Sequence, residues 1–181
     1  MNQDFVSYVE ARTPALLRLA YLLSGDRHLA EDLVQEALAK AHRRWVTIAA
    51  ADHPHAYVRR IVVTQHLGWR RRRASTELAL PPESLPEGRG GDPAGGVADR
   101  DATWRALAGL PARQRAVLVL RYYEDLPDED IAATLGVAVG TVRSLASRAF
   151  ARLRDHPGLA SYAPPVPVPA ALRPTTPEEN R

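Results

Sequence analysis

The stretch Leu126–Arg154, LPDEDIAATLGVAVGTVRSLASRAFARLR, constrains this chain more than any other. Its pattern is two helices joined by a sharp turn. Pro127 suits a first helical position, and Asp128, Glu129 and Asp130 place acid where the helix dipole favours it. Ile131, Ala132 and Leu135 give that helix an apolar face. Gly136 ends it, because glycine enters the left-handed region at low cost. A second helix starts near Val139 and runs to Arg154. At 3.6 residues per turn Val142, Ala146, Ala149 and Leu153 form one apolar stripe, bordered by Leu145 and Phe150. The opposite face carries Gly140, Thr141, Ser144, Ser147, Arg148 and Ala151, flanked by Arg143, Arg152 and Arg154. Small residues beside arginines let a helix sink into a groove and reach both bases and phosphates. The spacing fits a helix-turn-helix whose second helix reads DNA. A plain helical hairpin with a solvated basic face has the same pattern, so the rest of the chain must decide.

The 181 residues allow one ordinary domain or two small ones. Cysteine is absent, which removes disulfides, thiol catalysis and cysteine-based zinc sites and fits a reducing, cytoplasmic setting. The net charge is only +3, but residues 1–75 hold twelve arginines and lysines against seven acids, four of them in the run Arg70–Arg73. Such a run beside a helix points to nucleic acid. No apolar run approaches twenty residues, and the start MNQDFVSYVEAR lacks a basic-then-apolar leader, so neither a membrane span nor a signal peptide is expected.

In chain order, Phe5, Val9, Leu16, Leu19, Ala20 and Leu23 recur at helical spacing. Pro14 interrupts them, and Thr13 as a cap would divide the segment into two helices; a single kinked helix is the alternative. Asp26 caps the next helix, expected to reach about Trp45, with Leu29, Leu33, Ala37, Leu38 and Ala41 inward. Its other face shows Glu31, Asp32, Gln35 and Glu36, either a solvated acidic face or a docking surface for a basic partner. VTIAAAD is a loop or short helix. Pro54 starts a helix to about Trp69, with Tyr57, Val58, Ile61, Val62 and Leu67 able to pack inward and Arg59, Arg60 and Arg70–Arg73 as polar complement. Aromatics among arginines suit single-stranded nucleic acid, since bases stack on rings while arginines follow the backbone; Tyr57, Trp45 and Trp69 can equally be core.

Residues 76–100 hold four prolines and five of the eleven glycines, the composition of a flexible linker and domain boundary. Helices resume with Trp104, Leu107 and Leu110. Pro111 restarts another, PARQRAVLVLRYYED, expected to pack through Val117, Leu118, Leu120 and Tyr122. After residue 156 comes a tail that is Pro-rich and read as disordered, 157–181. Asp52, His53 and His55 hint at a metal, but no second cluster supports them, so no metal ligand and no cofactor is assigned. No catalytic constellation or small-molecule site is legible. The expectation is an all-α chain of two small helical domains, 1–75 and 101–156, the second with the helix-turn-helix.

Three segments together resemble a known family. Gly25–Trp45, Ala56–Arg73 and Leu110–Arg154, in that order and split by a linker, are similar to the polymerase-binding, −10 and −35 parts of a bacterial RNA polymerase sigma factor. The resemblance is to the extracytoplasmic-function group (sigma-70 family, group 4), and within it to an actinobacterial subgroup. It implies a non-catalytic subunit that binds core RNA polymerase and promoter DNA, duplex at −35 and melted at −10, with an anti-sigma factor as a further partner. It implies polymerase contacts at Asp32, Gln35 and Glu36, with flap docking over Pro111–Tyr123. For the −10 strand it implies the loop after Trp45 and then Tyr57, Arg59, Arg60, Thr64, Trp69, Arg70, Arg71, Arg72 and Arg73. For the −35 duplex it implies Thr141, Arg143, Ser144, Ser147 and Arg148. Thr64 stands where many members carry Asn, and Leu145 where many carry Arg or Gln; Leu145 can instead extend the core. A stand-alone helix-turn-helix regulator is the alternative, and it leaves the acidic helix and Arg70–Arg73 without a role.

Overall fold

The computed structural model describes residues 2–51, 53–79 and 107–154, and within them every regular element is a helix. The expected linker beyond Ala79, the helix marked by Trp104 and the tail lie outside the described residues. The elements are α1 (Asn2–Ser24), α2 (Arg27–His42), α3 (Trp45–Ala49), α4 (Pro54–Ala79), α5 (Ala112–Tyr122), α6 (Asp128–Leu135) and α7 (Val139–Arg154).

The first segment is one helix, not two. Pro14 sits inside α1. Thr13 does not cap a new helix; its hydroxyl donates back to the Val9 carbonyl at 2.6 Å. A mid-helix proline forfeits one backbone bond and usually costs ~3 kcal/mol. Here Leu16, Leu19, Ala20 and Leu23 are all buried on the following turns, and each fully buried leucine returns about 1.5–3 kcal/mol. Packing therefore carries the helix through the break.

Asp26 caps α2 as expected, its carboxylate accepting from the Leu29 amide at 3.0 Å. The helix ends at His42, before Trp45, and α3 opens on Trp45 itself. The Trp45 ring is buried between Phe5 and Tyr8, with centroids 5.0 and 4.8 Å away, so this tryptophan is core. Helix α4 outruns its expected end at Trp69 and carries Arg70–Arg73 as helical residues. Val58, Val62 and Val63 bury its inner face against α1 and α2.

One inward and one outward assignment exchange places. Tyr57 is exposed, whereas Arg59 is buried. Tyr122, expected to pack, is also largely exposed, with its ring edge-on to Phe150 at a centroid distance of 5.8 Å.

Helices α5, α6 and α7 make a second cluster around Val117, Leu120, Ile131, Val142, Ala146 and Ala149. Leu145 is buried with them, so it extends the core. The two clusters also pack on each other: α5 lies against α1 and α4, and α6 against α4. Arg115 of α5 fastens this junction, donating to the Leu23 carbonyl at 2.8 Å and to the carbonyls of Leu107, Ala108 and Leu110 at 2.9–3.2 Å. Leu23 lies in the last turn of α1, whose carbonyls lack helical partners and attract cations.

Candidate nucleic-acid interface

The helix-turn-helix is assembled by three local devices. Pro127 is the N-cap of α6 rather than its first residue, and its carbonyl accepts from Asp130 and Ile131. Gly136 closes α6 at φ 65°, ψ 42°. It turns the chain so that the Gly136 and Val137 amides both reach the Ala132 carbonyl. Any L side chain there meets the left-handed penalty of about 1–2 kcal/mol. The Ala138 carbonyl then accepts from Thr141 and Val142, the first bonds of α7.

Asp128 ties the three helices together. One carboxylate oxygen takes Arg121 of α5, and the other takes Arg143 of α7 at 3.3 Å. Asp128 is four-fifths buried at its side chain while Arg143 stays mostly exposed, so Arg143 is steadied at its base with its outer donors in solvent.

Thr141, Ser144, Ser147 and Arg148 lie together on the side of α7 away from Val142 and Ala149, and all but the half-buried Thr141 are exposed. Arg148 is folded back along its own helix. Its Nε reaches the Ser144 carbonyl at 3.1 Å and its Nη2 the Ser144 hydroxyl at 3.2 Å. These are exposed bonds of modest net worth, about 0.5–1.5 kcal/mol each, and a base edge or phosphate can replace them.

On α4, Tyr57, Arg60 and Thr64 are exposed at three- and four-residue spacing, and Arg70, Arg71 and Arg72 continue the exposed surface. A Cβ at Gly68 would make only an ordinary contact, with Arg72 Nη1 at 3.5 Å. The Thr64 hydroxyl turns to its own backbone, at 2.7 Å from the Arg60 carbonyl. Trp69 is half-buried, stacked on His66 and covered by the Arg73 guanidinium 5.4 Å from its centroid. Arg59 does not join this surface. It bonds Glu124, beyond the end of α5, at 3.2 Å, and both side chains are only 10% exposed. Sequence reasoning missed Glu124 and Arg115, because neither belongs to a periodic pattern and each acquires its role across the junction.

Asp32, Gln35 and Glu36 are exposed on α2, with Glu36 held by Lys40 at 2.7 Å. Gln35 also lines a shallow apolar groove, with Phe5, Val9, Leu38, Ala39 and His42. Among the described residues no three potential metal ligands cluster, and no helix is long and apolar enough to cross a membrane. Asp52 lies outside them.

An exposed arginine-rich helix, an acidic helix beside an apolar groove and a helix-turn-helix with an exposed polar face together fit a helical nucleic-acid-binding protein. Residues 8–76 match the family described as Sigma-70 region 2, and residues 106–155 match Sigma-70, region 4. The RNA polymerase sigma-E factor of Streptomyces coelicolor is 41% identical over 153 residues, covering 84% of this chain and 85% of its own length. The ECF RNA polymerase sigma factor SigM of Mycobacterium tuberculosis is 37% identical, covering 76% of this chain and 69% of its own. A solved structure of the sigma factor RpoE in complex with the anti-sigma factor NepR, from Bartonella quintana, aligns at TM-score 0.71 and 30% identity. It covers 84% of this chain and 96% of that one. The chain belongs to the sigma-70 family of RNA polymerase sigma factors, which direct transcription initiation, and its relatives place it among the ECF sigma factors.

Proposed function

We propose that the chain divides its work between residues 1–75, which bind core polymerase and the melted −10 strand, and residues 101–156, which read the −35 duplex. The observation that carries this is the outer face of α7, where Ser144, Ser147 and Arg148 are exposed beside the half-buried Thr141. Arg143 grips the flanking phosphates. On α4 the exposed Tyr57, Arg60 and Thr64 offer a ring and donors to unstacked bases, and Arg70–Arg73 follow the backbone. Melting costs stacking energy, which captured bases and these arginines offset. Asp32, Gln35 and Glu36 dock on a basic surface of the polymerase, and the groove beside them takes an apolar side chain. The chain performs no chemistry of its own, and the polymerase supplies it. Its setting is the cytoplasm, where polymerase and promoter are. The anti-sigma complex of the Bartonella relative supports an anti-sigma partner here as well.

The test is run-off transcription with purified core polymerase, alongside titration of core binding. The wild-type chain is expected to direct initiation from a fixed start site. Asp32→Arg with Glu36→Arg is expected to weaken core binding at least tenfold while the helical signal is kept, since both sites are exposed. Unchanged affinity would make that face merely solvated. Binding to palindromic DNA as a dimer, with no polymerase-dependent initiation, would favour a stand-alone regulator.

A further inference from the structure

Three acids open α6: Asp128, Glu129 and Asp130. The helix dipole favours any of them there. Glu129 and Asp130 are exposed, as acids kept only for the dipole would be. Asp128 instead turns inward, largely buried, and is shared by two arginines from different helices. Arg121, in the last turn of α5, takes Oδ1, and Arg143 Nε of α7 donates to Oδ2 at 3.3 Å. Backbone bonds hold the turn that delivers Asp128 to this place. Asp125 adopts φ 50°, and the amides of Glu124 and Leu126 return to the Val119 and Leu120 carbonyls at 3.2 and 3.1 Å. With Arg121 fixing one carboxylate oxygen, the direction of the other is fixed as well.

The atom used on Arg143 decides what the contact does. A guanidinium carries five N–H donors in one rigid plane, and the bond through Nε leaves the other four for a phosphate. The Arg143 side chain is 69% exposed, so those donors stay within reach of DNA. A free arginine samples many rotamers, whereas this one is tied at the base of its fork. The tie also changes the charge. Arg121, Asp128 and Arg143 together carry about +1, where the two arginines alone would carry about +2. Asp128 therefore removes attraction for DNA while it adds direction.

Direction and charge matter on different DNA. At a matched −35 element, base contacts fix where α7 lies, and Arg143 meets its phosphate only if it is aimed there. On an unrelated sequence no base contact fixes α7. The helix shifts until a phosphate is met, and charge counts for more than aim. We propose that Asp128 is a positioning residue that sets −35 specificity: it aims Arg143 at the phosphate flanking a matched element and, by its own charge, weakens the hold on other DNA. This role rests on the reading of α7 proposed above.

The measurement is holoenzyme binding to promoters with matched and scrambled −35 elements across a salt series, beside a thermal melt of each variant. Asp128→Asn keeps the shape and removes the charge. It is expected to tighten scrambled binding about fivefold and weaken matched binding about twofold, so that the matched-to-scrambled ratio falls about tenfold. The salt slope on scrambled DNA is expected to steepen by about one unit. In an Arg143→Ala background the same change is expected to leave the ratio where Arg143→Ala alone puts it, because the residue it acts through is gone. Equal gains on both sequences would make Asp128 a mask over Arg143, not a guide. Equal losses with a lower melting temperature would make it a brace of the fold. Either result overturns the proposal, as does a fall in the ratio that persists in full without Arg143. Should Asp128→Asn lose its helical signal, Asp128→Glu takes its place. It keeps the charge but moves the carboxylate by one methylene, so the salt slope should hold while the ratio falls; an unchanged ratio overturns the role. A wild-type holoenzyme that does not distinguish matched from scrambled elements would sink the reading of α7 and this role together. A wild type that does, with an unchanged ratio in Asp128→Asn, sinks the role alone.

Discussion

Arg143 and Arg148 sit five positions apart on one helix, and their different surroundings support the different work proposed for them. Arg148 lies over Ser144 on the face proposed to read DNA, where an arginine can pair with guanine O6 and N7. Arg143 leans on Asp128 to the side. Arg148→Ala is expected to cost about 1–3 kcal/mol on the preferred −35 sequence and little on a scrambled one. Arg143→Ala is expected to weaken both alike and to reduce the salt slope by about one unit. Holoenzyme binding to matched and scrambled elements across a salt series measures both; equal losses for Arg148→Ala would place the reading face elsewhere. His66 makes a second prediction. Burial first, and then the charges of Arg115 and Arg70, lower its pKa from 6.5 to about 4. The unfolded chain therefore binds a proton that the folded chain refuses. Stability from this group is complete above pH 6.5 and falls by about 1.4 kcal/mol per pH unit as pH drops toward 4. Denaturant melts from pH 7 to 4 should show that slope in the wild type and a shallower one in His66→Leu. Parallel curves would mean His66 protonates freely in the folded chain. Arg59 was illegible as core in the sequence, because residue type argues against burial and only neighbours on other helices reverse it.

Elements were easier to read where their ends carry their own chemistry. Asp26 and Gly136 mark helix ends that the structure keeps. Thr13-Pro14 has the same local signature as a cap and first residue, yet α1 runs through it. The deciding energy is the burial of four side chains on the far side of the proline, which no local rule contains. The end of α4 was missed for the complementary reason: Arg70–Arg73 interrupt the apolar period without breaking the helix. The start of α7 has a correctable weakness. Ala138 holds the cap position by its carbonyl but offers no side-chain acceptor to the free amides of the first turn. Ala138→Ser is expected to stabilise the second cluster by about 1 kcal/mol. Thermal melting of the full chain, followed by a probe in α7, should rise accordingly; no rise would mean those amides are already served.

At the scale of the whole molecule, the chain joins two clusters through residues whose composition predicts protease access. Limited proteolysis is expected to cut first between about residues 80 and 100, leaving two helical fragments. The window begins after Ala79 because α4 reaches that far. Resistance there equal to that of the helices would remove the linker. The sequence by itself determined the all-helical class, the helix-turn-helix, the acidic face of α2 and the order of segments that places the chain among sigma factors. Those properties rest on period, caps and turns, which act over a few residues. Only the tertiary structure decided that Arg59 is withheld from the α4 surface and that Glu124 and Arg115 join the two halves. Arg59 and Glu124 are 65 positions apart, and Arg115 and Leu23 are 92. Contacts of that separation are set by how whole helices pack, and no local pattern records them.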